Sequence, residues 1–384
     1  MDKILIVSQS FYPDPVRGAE KVAMSVAQAF KDKYSVHVLA LGEEDGVDDD
    51  LGYPVHRLTY NNGQRPGAKG LDLGPVAKFA WHARNAVGGV NGASLTQRLK
   101  DINPSVVYIH NATGFQPQLF QACASLGLPV VQHLHDYASL CPRTTMYKKN
   151  QNCATPCLSC RVLTAGWRRA FPSVGDVIAV SEFVRDRHIE HGAYRDARWH
   201  VLHNTDMTSV EGYTPKATGP FTFGFIGAVT EAKGIEDLLT AFTSRPSDET
   251  RLLIAGKGED AYLRSLQAKF PTDTVRWLGQ VPPDEFYSNI DCLVVPSRWH
   301  EPQGLVIVEG LRRGLPIIAT QRGGIPEMLA DSSEHRLYNP DAPGALASAM
   351  NSMIGAKPTL GAVWNDDFIA RVEAILLAAA VGKQ

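Results

Sequence analysis

The feature of this sequence that most constrains its fold is an alternation of short apolar runs with helical patterns, which stops once and then begins again. The first series of strand-length runs covers residues 4–7, 36–41, 106–110, 130–134, 177–180 and 199–203. The second series covers residues 221–226, 251–255, 275–278, 292–295 and 316–319. Buried strands that alternate with helices form doubly wound parallel sheets. The sequence therefore predicts an α/β protein with two Rossmann-like domains.

The break in the alternation predicts the domain boundaries. Residues 207–219 contain Thr, Ser, Gly and Pro and lack a core pattern, which is typical of an interdomain linker. We assign residues 1–206 to an N-terminal domain, 220–362 to a C-terminal domain, and 363–384 to a C-terminal helix that crosses back to the first domain. Ligands of such sheets bind at the carboxyl ends of the strands. We therefore expect the two domains to face each other across a cleft.

Charge and hydropathy restrict the class of protein. The net charge is −2, and 44% hydrophobic with 20% charged residues is the composition of a globular protein with a large core. No apolar run approaches the roughly 18 residues that a spanning helix needs. The first residues enter a strand without the long apolar region of a secretory signal. We expect a cytoplasmic protein with no nucleic-acid partner.

The most informative motif follows the apolar run at residues 292–295. Residues 296–309 place Glu301 in a loop that contains Pro and Gly, and Glu309 in a helix predicted over residues 304–313. A helix that begins in a Gly-containing turn directs free N–H groups and a positive dipole end at its ligand, commonly a phosphate. Carboxylates beside such a site can accept hydrogen bonds from sugar hydroxyls. The motif therefore predicts a nucleotide-sugar site.

The spacing of Glu301 and Glu309 resembles the donor site of glycosyltransferase family 4, whose members are retaining enzymes of the GT-B fold. The resemblance includes Lys233-Gly234 after Gly227, and Gly323-Gly324 after the second glutamate. It covers nearly the whole chain and is strongest over residues 221–330. It implies that Glu309 holds the ribose hydroxyls and that Glu301 contacts hydroxyls of the donor sugar.

The resemblance also implies which groups hold the donor diphosphate and the base. Lys233 would neutralise charge that develops on the leaving group. The family usually has an Arg directly after the glycine of the first strand, where this chain has Ala228, so Lys233 is the main cation, with help from Arg298 or Arg322. Gly256 would line the base pocket, and Gly227 lies beside the phosphates. The backbone N–H groups that would bind the diphosphate belong to Gln303, Gly304 and Leu305.

Two places in the N-terminal domain complete the site that the resemblance implies. Gly18 opens a helix where the family has a glycine-rich loop, which allows the backbone to approach the diphosphate. His135 and Asp136 follow the run at residues 130–134, where a His-Asp pair of the family contacts the transferred sugar and the attacking hydroxyl. A surface turn at Gly18 and a core histidine at His135 are the alternative interpretations.

Four cysteines lie within twenty residues directly after the His-Asp pair. Four thiolates are enough for a closed tetrahedral zinc site. An iron–sulfur cluster and free thiols are the alternatives. The family needs no catalytic metal, so we expect a zinc ion here to be structural. The four candidate ligands are Cys141, Cys153, Cys157 and Cys160.

A basic segment surrounds these cysteines, because no acidic residue occurs between Tyr137 and Gly175. Such a segment attracts anionic lipid head groups or phosphorylated acceptors. Leu163, Trp167 and Phe171 share one face of a predicted helix, with arginines at its margins. We expect peripheral contact with an anionic membrane, on the inner face of the cytoplasmic membrane. A packed core helix is the alternative.

Together, these features predict a retaining enzyme that moves a hexosyl or deoxyhexosyl unit from a nucleoside-diphosphate sugar to an acceptor hydroxyl. The expected acceptor is a saccharide or a lipid-linked saccharide of bacterial surface-polysaccharide or glycolipid synthesis. A sugar-nucleotide 2-epimerase shares the fold, and Ala228 leaves a non-catalytic nucleotide-sugar-binding subunit open. The two glutamates together with Lys233-Gly234 favour transfer.

Overall fold

A computed structural model describes residues 2–14, 18–63, 65, 74–205, 214–216, 218–244, 248–329, 334–359 and 367–382. The chain divides into two compact units. The first unit comprises Met1–Met146, Cys153–Asn204 and Asp367–Gln384, and the second comprises Tyr147–Asn152 and Thr205–Asp366. Most of the linker that we predicted at residues 207–219 lies outside the described residues.

The strands, in chain order, are β1 (Lys3–Val7), β2 (Ser35–Gly42), β3 (Gly46–Asp48), β4 (Val55–Thr59), β5 (Val106–Ile109), β6 (Val130–Leu134), β7 (Tyr147–Lys148), β8 (Gln151–Asn152), β9 (Asp176–Ala179), β10 (Arg198–Val201), β11 (Phe221–Ile226), β12 (Thr250–Ala255), β13 (Val275–Gly279), β14 (Cys292–Val295), β15 (Ile317–Thr320) and β16 (Arg336–Tyr338).

The α-helices, in chain order, are α1 (Gly18–Phe30), α2 (Pro75–Asn85), α3 (Gly92–Ile102), α4 (Gln118–Ser125), α5 (Leu158–Leu163), α6 (Ala165–Ala170), α7 (Glu182–Glu190), α8 (Ile235–Thr243), α9 (Asp260–Lys269), α10 (Pro283–Tyr287), α11 (Leu305–Arg312), α12 (Ile325–Leu329), α13 (Ala345–Met353) and α14 (Phe368–Val381). Short 3-10 helices occupy Phe171–Ser173 and Glu231–Lys233. Among the helices of the described residues, none is long and apolar enough to cross a membrane.

The first unit contains an eight-stranded sheet in the order β10-β9-β6-β5-β1-β2-β4-β3. All of its neighbouring strands are parallel except β3 and β4, which are antiparallel. The central strands read as continuous apolar runs because both of their faces are buried. Helix α14 contacts β5 and β6, so the C-terminal helix is part of this unit.

The second unit contains a six-stranded parallel sheet in the order β13-β12-β11-β14-β15-β16. Successive residues of β14 contribute to different core clusters, because side chains of a strand alternate between its faces. Cys292 and Val294 belong to one cluster, and Leu293 and Val295 to the other. Both faces of the sheet are therefore covered. The prediction of an α/β protein with two Rossmann-like domains is confirmed.

The structure corrects our interpretation of the basic segment. The helix predicted through Leu163, Trp167 and Phe171 is divided at Thr164, between α5 and α6. The Trp167 side chain is 4% exposed and its ring centroid lies 5.8 Å from that of Phe120. The predicted membrane-facing side of this helix is therefore wrong, because its tryptophan packs into the core of the first unit.

Candidate functional site

The donor half of the candidate site is centred on a buried carboxylate in the second unit. Glu301 is 4% exposed, and its Oε1 accepts hydrogen bonds from Lys233 Nζ at 2.5 Å and from Ser297 Oγ at 2.7 Å. Among the described residues, both of these donors bond the same oxygen, which leaves Oε2 for a ligand. The Lys233 ammonium also lies 5.5 Å from the centroid of the Trp299 ring. Lys233 and Glu301, which are 68 residues apart in sequence, thus form one charged pair.

Two glycines allow the loops that carry this pair to approach each other. A Cβ atom on Gly234 would lie 1.8 Å from the carbonyl oxygen of Pro296, and one on Gly323 would lie 2.1 Å from that of Glu301. The backbone N–H of Gly324 donates to the Glu301 carbonyl at 2.8 Å. Any side chain at these two glycines would separate the loops. The glycines of the motif therefore let neighbouring loops hold the backbone of Glu301 in place.

The second glutamate of the motif is held by a different set of contacts. Glu309 lies in α11, is 8% exposed, and accepts a 2.7 Å hydrogen bond from the hydroxyl of Tyr287. Arg313, which is 1% exposed, donates to the Glu309 carbonyl at 2.8 Å and pairs with Asp284 at 2.5 Å. Its guanidinium lies 4.6 Å from the centroid of the Tyr287 ring. This buried network orients Glu309.

The remaining donor-site residues lie in loops at the carboxyl ends of neighbouring strands. Gly227 follows β11 and Gly256 follows β12, and the Gly227 N–H donates to the Ala255 carbonyl at 3.0 Å. Gly304 precedes α11 with a φ of 89°. The helix begins at Leu305, within one residue of its predicted start, and the preceding Gln303 is 2% exposed. The first backbone N–H groups of a helix have no partner within it, and α11 begins four residues after Glu301.

Two arginines that we considered as further cations are already paired with carboxylates. Arg298 makes a bidentate contact with Asp237, which raises the pKa of its guanidinium. Arg322 pairs with both oxygens of Asp341. Lys233 is also paired, but its partner is Glu301, so of these three cations it is the one that contacts the carboxylate of the motif.

A polar hairpin holds the backbone that leads to Glu301. The short strands β7 and β8 pair antiparallel and belong to the second unit. The side chain of Asn152 accepts a hydrogen bond from the His300 N–H and donates one to the Arg298 carbonyl, both at 2.9 Å. The side-chain amide of Asn152 thus fixes the backbone on both sides of Trp299.

In the first unit, the strand ends near His135 carry a network of buried histidines. His110 Nδ1 lies 2.9 Å from His135 Nε2, and Asn204 Nδ2 lies 3.3 Å from His135 Nδ1. The Tyr108 hydroxyl lies 2.7 Å from His133 Nδ1. Burial lowers the pKa of His135 to about 3 and holds the pKa values of His110 and His133 well below their usual range. The histidines are therefore neutral, and both ring nitrogens of His135 are engaged.

Among the described residues, His110, His133 and His135 have ligand atoms that all lie within 4.8 Å of one another, a spacing that could hold a metal ion. Two nitrogens bound to one tetrahedral zinc ion lie about 3.3 Å apart. The separation of 2.9 Å between His110 and His135 is that of a hydrogen bond. We therefore interpret these rings as a hydrogen-bonded network that orients His135.

Asp136 is the acidic group of this half of the site. Its Oδ1 accepts a 2.7 Å hydrogen bond from the Ala138 N–H, and burial, followed by the charge of Glu20, raises its pKa to about 6. Glu20 lies in the first turn of α1, two residues after Gly18, and is 2% exposed. The residue that precedes Gly18, Arg17, lies outside the described residues. Two acids therefore lie at this edge of the first sheet.

The structure places Cys160 next to two of the other clustered cysteines. Cys160 Sγ lies 3.5 Å from Cys157 Sγ and 3.8 Å from Cys141 Sγ. Cys153 is half-buried, and its backbone N–H donates to the Met146 carbonyl at 2.7 Å. None of these four described cysteines is in a disulfide.

The sequence analysis missed several residues that position the site. Tyr287 and Ser297 bond the two glutamates, and His110 and Asn204 bond His135. Ser297 was within the motif but was assigned no role. His110 ends a predicted strand next to that of His135, so its position at the carboxyl edge of the sheet was an available signal. Tyr287 carried no comparable signal.

Two family models match the chain, one in each half. Residues 17–205 match the Glycosyl transferase 4-like domain, and residues 211–360 match Glycosyl transferases group 1. A Klebsiella pneumoniae protein described as an uncharacterized 42.6 kDa protein in the cps region is 24% identical over 331 residues, which are 85% of this chain and 87% of that protein. Alpha-maltose-1-phosphate synthase of Mycolicibacterium smegmatis is 27% identical over 317 residues, 72% of this chain and 78% of the enzyme.

Solved structures share the fold over the whole chain. Anabaena Alr3699/HepE in complex with UDP-glucose superposes with a TM-score of 0.67 at 20% identity, covering 99% of this chain and 96% of that one. Sucrose-phosphate synthase from Thermosynechococcus elongatus superposes with a TM-score of 0.69 at 17% identity, covering 100% and 97%. These likenesses show the GT-B fold and confirm the predicted fold class.

Proposed function

Because this chain belongs to the family 4-like glycosyltransferases of the GT-B fold, we propose that it transfers a hexosyl or deoxyhexosyl unit from a nucleoside-diphosphate sugar to an acceptor hydroxyl with retention. The transferase class follows from the family. The proposal adds the sugar, the stereochemistry and the acceptor. Anabaena Alr3699/HepE, which shares the fold, is described in complex with UDP-glucose, so UDP-glucose is the first donor to test.

The observation that carries the proposal is the charged pair of Lys233 and Glu301 beside the start of α11. The ammonium supplies positive charge for the diphosphate, together with the N–H groups of the first helical turn. Glu301 Oε2 and the carboxylate of Glu309 supply acceptors for sugar hydroxyls. A cation and two fixed carboxylates at one helix start match a ligand that is anionic at one place and rich in hydroxyls at others.

For the first unit, we propose that Asp136 contacts the transferred sugar or the attacking hydroxyl. His135 was expected to make this contact, but both of its ring nitrogens are hydrogen-bonded to His110 and Asn204. We therefore assign His135 a positioning role, in which the fixed ring holds the strand end that carries Asp136. No described contact gives either residue the geometry of a nucleophile, which fits attack assisted by the leaving phosphate.

We propose bacterial surface-polysaccharide or glycolipid synthesis as the setting, with a saccharide or lipid-linked saccharide as acceptor. The support is the Klebsiella pneumoniae relative from the cps region, which aligns over most of both chains. No described helix spans a membrane, so contact with a lipid-linked acceptor would occur at the membrane surface.

The structure offers a surface for such contact that differs from the predicted one. Helices α2 and α5 contact each other, and both expose apolar side chains. Exposed fractions are 51% for Phe79, 78% for Leu158 and 56% for Val162. Lys78 and Arg161 are exposed on the same two helices. Exposed apolar groups among basic ones favour an anionic lipid surface.

The experiment that tests the proposed function measures release of nucleoside diphosphate from a panel of nucleotide sugars, with and without saccharide acceptors. Transfer predicts release that depends on the acceptor, with an α-linked product from an α-linked donor. A 2-epimerase would instead convert the nucleotide sugar into its isomer. The amount of nucleoside diphosphate released would then differ from that of a transfer reaction, and it would not depend on an acceptor. A binding subunit would give a ligand-dependent rise in Tm without turnover. Either of these two results would contradict the proposal.

A further inference from the structure

The Cys160 sulfur of the first unit lies next to two other cysteine sulfur atoms in the segment that follows Asp136. The distances are 3.5 Å between Cys157 Sγ and Cys160 Sγ, and 3.8 Å between Cys160 Sγ and Cys141 Sγ. Two sulfurs on one tetrahedral zinc ion, each about 2.3 Å from the metal, are about 3.8 Å apart. A disulfide requires about 2.05 Å. The two separations at Cys160 are therefore close to edges of a zinc tetrahedron, whereas the sulfur atoms of Cys141 and Cys157 lie farther apart than 4.8 Å and would approach each other on binding.

The backbone that carries these thiols is fixed by hydrogen bonds. Cys141 is 4% exposed, its N–H donates to the Tyr137 carbonyl, and its own carbonyl accepts from the Thr144 N–H, both at 2.8 Å. Cys157 directly precedes α5 and Cys160 lies in its first turn, where the Arg161 N–H donates to the Cys157 carbonyl at 2.9 Å. The sulfur atoms are thus brought together by two structured elements.

We propose that Cys141, Cys153, Cys157 and Cys160 bind one zinc ion as four thiolates. Cys153 is the remaining thiol of the segment, four residues before Cys157, and its hydrogen bond to Met146 ties it to the chain that follows Cys141. Binding replaces four S–H protons by one Zn²⁺ and releases those protons, with no change of oxidation state. A set made only of sulfur ligands favours zinc among the common divalent ions of proteins.

The charge of the surrounding segment supports the proposal independently. Four thiolates and one Zn²⁺ carry a net charge of −2, and an acidic neighbour would be repelled. Residues 138–174 contain no Asp or Glu and six basic residues. These are Arg143, Lys148, Lys149, Arg161, Arg168 and Arg169. The acid-free composition therefore suits an anionic metal site, whether or not this segment also meets lipid.

The proposed site would fix the segment at two points. Cys141 and Cys153 flank residues 147–152, which form the β7–β8 hairpin of the second unit. The Tyr137 N–H donates to the Thr144 carbonyl at 3.0 Å, so the turn that begins after Asp136 leads directly to Cys141. Metal bound at both ends of the hairpin would hold its base and keep the turn after Asp136 in place.

The test measures zinc in protein purified anaerobically without added metal. About one zinc per chain is expected in the wild type, and its loss is expected in the double variant Cys157→Ser/Cys160→Ser. Cys123→Ala and Cys292→Ala, whose thiols are buried elsewhere, serve as controls and should keep the metal. Wild-type protein without stoichiometric metal, or a double variant that retains it, would overturn the proposal.

X-ray absorption of the wild type keeps the proposal testable if the double variant does not fold. About four sulfur neighbours at about 2.3 Å are expected. Bound iron with visible absorption would show an iron–sulfur cluster instead. A count of titratable thiols that rises by two after reduction would show a disulfide, and either result would refute zinc. Removal of the metal should also accelerate trypsin cleavage after Arg143, Lys148 and Lys149. Unchanged cleavage would refute the proposed role in holding the segment.

Discussion

Replacing Glu301 by glutamine tests the centre of the donor site, because it keeps the shape of the side chain and removes its charge. Oε1 of Glu301 accepts from Lys233 Nζ and Ser297 Oγ, and the carboxylate side chain is 5% exposed. The carbonyl oxygen of a glutamine can accept from the same two donors. The change therefore removes the negative charge and turns the second oxygen, which we assign to a sugar hydroxyl, into an N–H donor.

The expected loss of activity follows from that one contact. A hydrogen bond to a charged group contributes about 1.5–3 kcal/mol, and each factor of ten in rate corresponds to about 1.4 kcal/mol. The value of kcat/KM should fall about 10- to 150-fold. The ion pair with Lys233, whose side chain is 29% exposed, contributes at most about 1 kcal/mol to folding. The Tm should therefore fall by no more than about 4 °C.

The assay combines initial rates of nucleoside-diphosphate release with thermal unfolding of the same preparations. Glu285→Gln is the matched control, because Glu285 is an exposed residue of α10 in the same unit and undergoes the same change of charge. Its kcat/KM should equal that of the wild type. A Glu301→Gln variant with wild-type kcat/KM would remove this residue from the donor site. A Tm lower by more than about 10 °C would show that Glu301 acts mainly in folding.

Three further predictions concern the other parts of the site. Tyr287→Phe removes one hydrogen bond to Glu309, so the donor KM should rise about 2- to 12-fold with kcat unchanged; an unchanged KM in steady-state kinetics would contradict the positioning role. The pKa of Asp136 is raised from 3.8 to about 6. Between these two pH values the folded state keeps a proton that the unfolded state has lost, so above pH 6 the ionised Asp136 lowers the free energy of unfolding. Asp136→Asn should therefore raise the Tm at pH 8 but not at pH 4, and activity of the wild type should fall as pH drops through about 6; equal Tm changes at both pH values would refute the assignment. Binding to anionic vesicles at low salt should be lost in Leu158→Glu/Val162→Glu and weakened by salt; equal sedimentation of both proteins with neutral and anionic vesicles would exclude this surface.

Most of the sheet strands and the elements of the candidate donor motif could be predicted because their signals are local, whereas β3, β4 and β16 were missed. A strand buried on both faces is a continuous apolar run, and residues 130–134, 221–226 and 292–295 were predicted with the boundaries that the structure has. Helix α11 was predicted over residues 304–313 and spans Leu305–Arg312. Glycines that interrupt the backbone mark where such elements end. Sequence reasoning therefore predicted Lys233, Glu301 and Glu309 as separate candidates.

Features that depend on contacts distant in sequence, or on short polar elements, could not be predicted in this way. Strands β7 and β8 have two residues each and contain no apolar alternation, so the Asn152 contact had no sequence signal. The apolar face through Trp167 was predicted on the assumption of one continuous helix. The helix instead ends near Thr164, and Gly166 approaches the Ala86 carbonyl so closely that a Cβ atom would lie 2.6 Å from it. Such close packing buries Trp167, and periodicity alone cannot reveal it.

The spatial arrangement explains why the pieces of the donor motif occur together although they are spread over about ninety residues of sequence. Lys233 bonds the Glu301 carboxylate, while Gly234 lets this loop meet the carbonyl of Pro296. Ser297 bonds the same carboxylate, and Gly323 lets its loop approach the Glu301 backbone. Each piece therefore contacts Glu301 or the residues that lead to it. A change at either glycine would displace the carboxylate without touching it, so Lys233, Gly234, Ser297 and Gly323 share one role, the placement of Glu301.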